Sequence, residues 1–455
     1  MIDFNTMFPT HTLSQHRRIT IAFRDKVLLE IFTISLKFLG QVNSGTVPEH
    51  MQKEVAVRAG ELCFACLSFD FIGTTPDESS DDVGIVQIPK TWKNFFEEDN
   101  ILPLLFEVYT KVKSKVILRC LGHAASTRVS LFYTNLTKMN FIESLIKGLY
   151  QIIVGNIGLE DESRHHEFCR LLTRLKSNFS IKQISAAEGF RQFLPVLAQF
   201  SCQTFQSWQK SPNSVYYILE LWREMVKGSH FLEDQEKNTI TQFTPQLIQV
   251  YTQSRTQSVA VAFSDDSVDD PLRSGNMLEE EIKSLPALLR AHYETNSKFL
   301  KSMFEPIAKN FFVLVSNNIS SPSKGNSAQL GVVEGQLTWL VYFIGAGIGG
   351  RLLVGNTDEK YASFDAELTS MVFQLLNMHN KRLPHQNSCT EFYTERLEIA
   401  LLKFIQHFRK VYIGDNSVST SSIFPILEQL VGIGSFKTVI SVFLNKMFVS
   451  FFITL

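Results

Sequence analysis

The sequence predicts an all-α fold, a solenoid of antiparallel helix pairs, and three observations carry that prediction. Apolar residues recur at helical spacing along most of the chain. Strict apolar–polar alternation over six or more positions, the mark of a half-buried strand, is scarce. Turn-forming residues recur at intervals that leave room for one or two helices between them.

In chain order, "FIESLIKGLYQII" places Phe141, Leu145, Leu149, Ile152 and Ile153 on one helical stripe. "VYYILELWREMV" does the same with Val215, Ile218, Leu219, Trp222 and Val226. "RLEIALLKFIQHFRKVY" repeats the pattern with Leu397, Ala400, Leu401, Phe404, Phe408 and Val411. Ile399 and Leu402 widen that last stripe, which predicts a helix flanked on both sides. Breaks fall at Gly73 to Pro76, Gly155 to Gly158, Ser211-Pro212, Asp269 to Pro271, Ser320 to Gly325, Gly355 to Asp358, Arg382 to Asn387 and Gly432 to Gly434. Such spacing suits repeats of about 40 residues made of two helices, the HEAT type, in which stripe and size persist while letters vary. The expectation is one continuous solenoid segment over residues 1–455, with acidic loops near 74–84 and 264–275.

Composition narrows the function classes. A chain of 455 residues that is 44% hydrophobic and 20% charged has ample material for a buried interior. Its 44 basic and 45 acidic residues nearly cancel, so no whole-molecule field draws in nucleic acid. Six cysteines spread over this length point to a reducing compartment rather than a disulfide framework. Met1 to Pro9 lacks the basic and apolar regions of a secretory signal. Two stretches imitate membrane spans. Gly335 to Gly350 is uncharged but shorter than the ~20 residues a bilayer requires. The C-terminal "TVISVFLNKMFVSFFITL" is long enough but carries Lys446 at its centre.

"WLVYFIGAGIGGR", Trp339 to Arg351, contains Gly345, Gly347 and Gly350 at dinucleotide-binding spacing, with Asp365 about 20 residues past Gly345, where that fingerprint places an acid. A dinucleotide turn must open a crossover helix. Here only "LLV" separates Arg351 from the next break, "GNTDE", in which Asn356 and Glu359 read as the start of another helix. The expected role of Gly345 and Gly349 is instead to let a helix end approach a neighbour closely. Cys63 and Cys66 have C-x-x-C spacing but lie in the apolar "LCFACLSF", as buried thiols do. His165, His166, Glu167 and Cys169 are the densest group of metal-capable side chains, with no further ligand nearby to complete a tetrahedral set. No catalytic, cofactor-binding or metal-ligating residue is therefore expected.

Acid in loops stands out more. "TTPDESSDD" places Asp77, Glu78, Asp81 and Asp82 after an apolar helix, and these four are the candidate partner-binding residues, complementary to a basic partner. Ser79, three residues before Asp82, is a position where phosphorylation would deepen the charge. "SDDSVDDPLRSG", around Asp265 to Asp270, is a second acidic loop.

Six blocks taken in order, "FDFIGTTPDESSDD", "VQIPKTW", "HEFCRLLTRLKSNF", "SPNSVYYILELW", "EGQLTWLVYFIGAGIGGR" and "FRKVYIGD", resemble successive segments of the exportin-7 and Ran-binding protein 17 family, within the importin-β superfamily. The resemblance runs from about His16 to about Lys446. It implies a HEAT-type α-solenoid that carries protein cargo through nuclear pores under control of Ran-GTP, shuttling between nucleus and cytoplasm. It also implies a longer receptor, with a Ran-binding region ahead of Met1 and further sequence beyond "MFVSFFITL". A stack cut at both ends would expose apolar faces and dissolve poorly.

The combined expectation is a non-enzymatic binding platform without cofactor, nucleic-acid partner or membrane span. Its partners are Ran in the GTP form, protein cargo and Phe-Gly nucleoporins, the last held in grooves built by some of the 38 phenylalanines. Cargo and Ran-GTP would stabilise each other's binding. Two rival readings remain: a scaffold solenoid that never meets Ran, and an NAD-dependent enzyme using Gly345, Gly347 and Gly350.

Overall fold

A computed structural model describes residues 13–69, 86, 88–97, 101–210, 212–320, 324–354, 361–383, 391–413 and 423–454. Among them the only β pairing is an isolated bridge between Val86 and Thr127, so the fold is all-α as the periodicity predicts. The chain divides into two compact units, one of Met1–Ser201 with Gly228–Thr239, the other of Cys202–Lys227 with Ile240–Leu455.

The first unit begins with α1 (Leu13–Phe23), which runs through one π turn (Arg24–Leu28) into α2 (Leu29–Ser44). Gly45, at φ +75°, closes α2 in the left-handed conformation, returning its amide to the carbonyls of Gln41 and Val42. The chain then reverses into α3 (Glu49–Leu67). α4 (Ile101–Val112) and α5 (Lys115–Ala125) form a second hairpin, and α6 (Asn135–Val154) and α7 (Glu162–Asn178) follow. Helices joined by so few residues must run antiparallel to pack at all. α2 packs on α4 and α4 on α6, while α3 packs on α5 and α5 on α7. The hairpins therefore stack in two layers, the arrangement of a helical-repeat array.

Local chemistry fixes the ends of these helices. Thr134 caps α6 by accepting the Thr137 amide, and Asp161 caps α7 by accepting that of Arg164. Between them the Gly155 to Gly158 break is a loop, tied down by the Tyr109 hydroxyl donating to the Ile157 carbonyl at 3.0 Å. Phe141, Leu145, Leu149 and Ile152 are buried as their stripe requires, while Ile153 at its edge is only half-buried.

α8 (Phe190–Gln206), α9 (Pro212–Ser229) and α10 (Asp234–Thr241) follow, and then come α11 (Thr244–Ser264), α12 (Gly275–Ala291) and α13 (Tyr293–Ser320). The second unit is built around α14 (Lys324–Gly349), which packs against α11, α12, α13, α15 (Ala362–Arg382) and α16 (Glu391–Tyr412). α17 (Phe424–Val431) and α18 (Phe436–Thr454) close against α15. A helix enclosed on so many sides needs no polar face, and α14 has almost none: Trp339, Leu340, Val341, Phe343 and Ile344 are all fully buried. Its Ser327–Gly349 stretch is long and apolar enough to cross a membrane, yet 89% of that window is buried inside the unit.

The predicted stripe of α9 is buried throughout, with Trp222 fully enclosed. That of α16 is buried at Leu397, Ala400, Leu401, Phe404, Phe408 and Val411. The widening does not hold. Leu402 is exposed and Ile399 only half-buried, so α16 buries a single broad face, turned to α14. Lys446 is fully enclosed on α18, donating to Asn380 Oδ1 at 3.0 Å and to the Glu398 carboxylate. Its position inside an apolar stretch is that of a paired core charge.

Candidate functional site

The glycine stretch lies at the end of a helix, not at the start of one. Gly345 and Gly347 are inside α14, the Gly350 amide donates to the Ala346 carbonyl at 2.9 Å, and Arg351–Val354 forms one further turn. A helix C-terminus presents carbonyls, not the amides a pyrophosphate needs. Those carbonyls are already occupied. Arg290 donates from Nε to Gly347 O at 2.6 Å and from Nη2 to Ile348 O at 3.4 Å.

Asp365 does approach the glycines, but as a counter-ion. Its carboxylate, fully buried, accepts from Arg290 Nη2 at 3.0 Å, from Arg351 Nη1 at 3.3 Å, from Tyr412 OH at 2.5 Å and from Tyr293 OH. Burial, and then the neighbouring Asp365 charge, push both phenols far above the ordinary tyrosine range. Both stay protonated, and donate. The cluster joins α12, α13, α15 and α16 at the end of α14 and leaves no acceptor for a ribose. The dinucleotide reading fails on this geometry. Close approach is what the glycines supply: a Cβ on Gly349 would stand 2.5 Å from His407 Nδ1, and one on Gly345 3.6 Å from Phe404 Cα, both on α16.

The other chemistry-bearing groups are core. Cys63, Cys66, Cys120 and Cys169 are buried free thiols. Burial, with Cys63 beside it, pushes the Cys66 thiol up to about 12, opposite to a reactive cysteine. His165 lies on the Phe200 ring, centroids 5.3 Å apart, with its Nδ1 3.8 Å from Cys169 Sγ. Among the described residues no group of three or more His, Cys, Asp and Glu is placed to hold a metal ion.

Asp77, Glu78, Asp81 and Asp82 lie outside the described residues, as does Ser79. The second acidic loop divides by role. Asp270 is buried, accepting the Leu272 amide at 2.9 Å and the Tyr393 hydroxyl at 2.8 Å, and so anchors the loop to α16. Asp265, Asp266 and Asp269 are exposed, and Asp265 is folded into a local turn by the Ser267 amide and hydroxyl. Three carboxylates of this loop thus face solvent on an anchored base.

Two outward rows on the first unit complete the surface. On α2, Ile34 and Phe38, one turn apart, are 47% and 46% exposed. On the opposite layer, α5 and α7 turn Lys115, Arg119, Arg170 and Arg174 outward or half outward. These four cations are 59 residues apart end to end, and sequence reading missed them because no local run marks them. Helical phase alone, Lys115 to Arg119 and Arg170 to Arg174 each four apart, could have signalled them.

Comparison with known proteins gives this surface a context. Residues 258–451 match the family described as Exportin-7-like, TPR domain. Exportin-7-A of Xenopus laevis is 35% identical over 449 residues, 98% of this chain and 40% of that protein. The chain is similar to exportin-7 over nearly its whole length. Human Ran-binding protein 17 is 33% identical over the same length, and exportin-7 of Dictyostelium discoideum is 33% identical over 435 residues, 94% of this chain and 42% of that protein. The chain thus spans about two fifths of the length of its exportin-7 relatives. The glycine stretch lies inside the exportin-7-like region, as part of its packed core.

Proposed function

We propose that this chain is a helical-repeat segment of a nuclear export receptor that carries protein cargo through the nuclear pore under control of Ran-GTP. The observation that supports it is similarity to exportin-7 running over 98% of the chain. The name of Ran-binding protein 17 supports the GTPase as partner. In this reading residues 1–455 are one stretch of solenoid, neither an enzyme nor dependent on a cofactor, binding no nucleic acid and crossing no membrane. The protein passes between nucleus and cytoplasm.

Partners divide by chemistry. The exposed carboxylates Asp265, Asp266 and Asp269, with Asp77, Glu78, Asp81 and Asp82, suit a basic protein surface. Ile34 and Phe38, both exposed on α2, offer an apolar contact for a Phe-Gly repeat. Binding of Ran-GTP and of cargo to the same segment makes each tighten the other, through a shared coupling free energy.

Titration with Ran carrying a non-hydrolysable GTP analogue, beside Ran carrying GDP, tests the proposal. Selective binding of the GTP form supports a receptor segment. Equal or absent binding of both forms, by a chain with an intact helical circular dichroism spectrum, overturns Ran control and leaves the scaffold reading.

A further inference from the structure

We propose that Tyr133 is a phosphorylation site for a tyrosine kinase, and that Lys93 receives the phosphate. The site lies on the turn that leads into α6 and does not depend on the export reading.

Three observations carry it. The first is access. The chain has 11 tyrosines, all among the described residues, and Tyr133 alone is exposed, at 86%. The hydroxyls of Tyr109, Tyr251, Tyr293, Tyr393 and Tyr412 are committed to hydrogen bonds inside the fold. That of Tyr133 makes no such bond among the described residues, where only its backbone amide is held, by the Glu97 carboxylate. Phosphoryl transfer requires the accepting oxygen to stand in line with the γ-phosphate of a bound nucleotide. A protruding hydroxyl reaches that position without local unfolding, and a buried one does not.

The second is the backbone. Phe132, at φ −78° and ψ 122°, and Thr134, at φ −118° and ψ 157°, flank Tyr133 in extended conformation. Leu131 and Phe132 are buried and hold the stretch from one side, so the phenol stands out from a straight, anchored segment. The third is a cation placed for the product. Lys93 Nζ lies 5.4 Å from the Tyr133 ring centroid and 3.8 Å from Glu97 Oε2. Its side chain is 43% exposed, so its flexible stem can swing toward a new partner. A phosphate brings more charge and more acceptor oxygens than a carboxylate, and draws the ammonium from Glu97. The first turn of α6 contains no acid to oppose it.

In the transfer, the Tyr133 oxygen bonds to the γ-phosphorus of a nucleoside triphosphate as the bond from that phosphorus to the bridging β–γ oxygen breaks. The nucleoside diphosphate leaves, and a carboxylate base of the kinase takes the phenol proton. The surface changes character as a result. Tyr133 and the neighbouring Leu136, 86% and 71% exposed, form an aromatic and apolar contact beforehand. Afterwards the same contact carries a charge of about −1.5 to −2, which repels an apolar partner.

Incubation of the full chain with magnesium ATP and a tyrosine kinase domain of broad sequence tolerance, followed by mass spectrometry of its peptides, tests the site. Tyr133 should carry most of the phosphate, and Tyr133→Phe should lower total incorporation about tenfold, since the other phenols react only through local opening. Phosphate on the half-buried Tyr150, Tyr216, Tyr217 or Tyr361 in preference to Tyr133 would overturn the assignment. So would its absence from Tyr133. A phosphorus NMR titration of the phosphorylated chain tests the role of Lys93. Lys93→Gln should raise the midpoint of the second phosphate ionisation by about half a pH unit, as expected for loss of one surface charge contact. An unmoved midpoint would overturn that role. Neither readout involves Ran or cargo, so failure here is distinguishable from failure of the export reading.

Discussion

Arg290 Nε lies 2.6 Å from the carbonyl oxygen of Gly347. A guanidinium therefore fills the place where a nucleotide phosphate would need a bare helix start, and it does so on carbonyls left over at a helix end. The same arginine pairs with Asp365, so one cation both caps α14 and balances a buried acid. The glycine motif and the acid that seemed to complete a nucleotide site are thus two parts of one structural joint.

Removing the shared acid should break that joint. Asp365→Ala would leave Arg290 and Arg351, both almost fully buried, with their charges uncompensated. The expected loss is about 3–5 kcal/mol, the usual cost of orphaning a buried pair. Urea unfolding followed by circular dichroism should show the transition of the second unit at lower denaturant with that of the first unchanged. Addition of NAD to the parent chain should leave both transitions where they are.

Two glycines of the same stretch should respond in opposite directions. Gly349→Ala places a methyl 2.5 Å from His407 Nδ1, too close unless the half-buried His407 ring is displaced, and should cost about 1–3 kcal/mol. Gly347→Ala meets nothing nearer than Tyr293 Cε2 at 3.4 Å. Its gain in helix propensity, about 0.5–1 kcal/mol, should leave the protein as stable or slightly more so. Thermal melts of the two variants side by side would decide the matter. An equal loss in both would mean that the close approach is not specific to Gly349.

Acid should weaken the first unit before its carboxylates titrate. Burial holds His123 and His165 at about 4, with Arg119 adding to the effect at His123 and His166 at His165. Both remain neutral in the folded chain while the unfolded chain takes up protons near pH 6.5. Stability therefore falls as pH drops from about 6.5 toward 4, by on the order of 2–3 kcal/mol for each histidine over the whole interval. Melting temperatures measured across that window should show the slope, and His123→Gln should flatten it. A flat profile in the parent chain would show that these rings are hydrated enough to protonate in place.

What the sequence revealed and what it hid divide along physical lines. Stripes such as Val215 to Val226 were legible because burial on a helix repeats every turn and needs no knowledge of the neighbour. The exposure of Leu402 was not legible, since only the position of α14 decides which flank of α16 is covered. Asp270 and Asp265 read alike as loop acids, yet one is buried on Tyr393, 123 positions away, and the other faces water. The Arg290 to Asp365 pair spans 75 residues, and the basic row draws on two helices with α6 between them. Local patterns contain no record of such meetings.

The enclosure of α14 has a consequence for biosynthesis. Its neighbours α11, α12 and α13 leave the ribosome before it, but α15 and α16, which cover its remaining sides, follow it by up to Tyr412. Until that residue emerges, a helix rich in Leu, Val, Phe and Ile is bare along the flank carrying Gly345 and Gly349, a ready target for chaperones and for misassociation with other nascent chains.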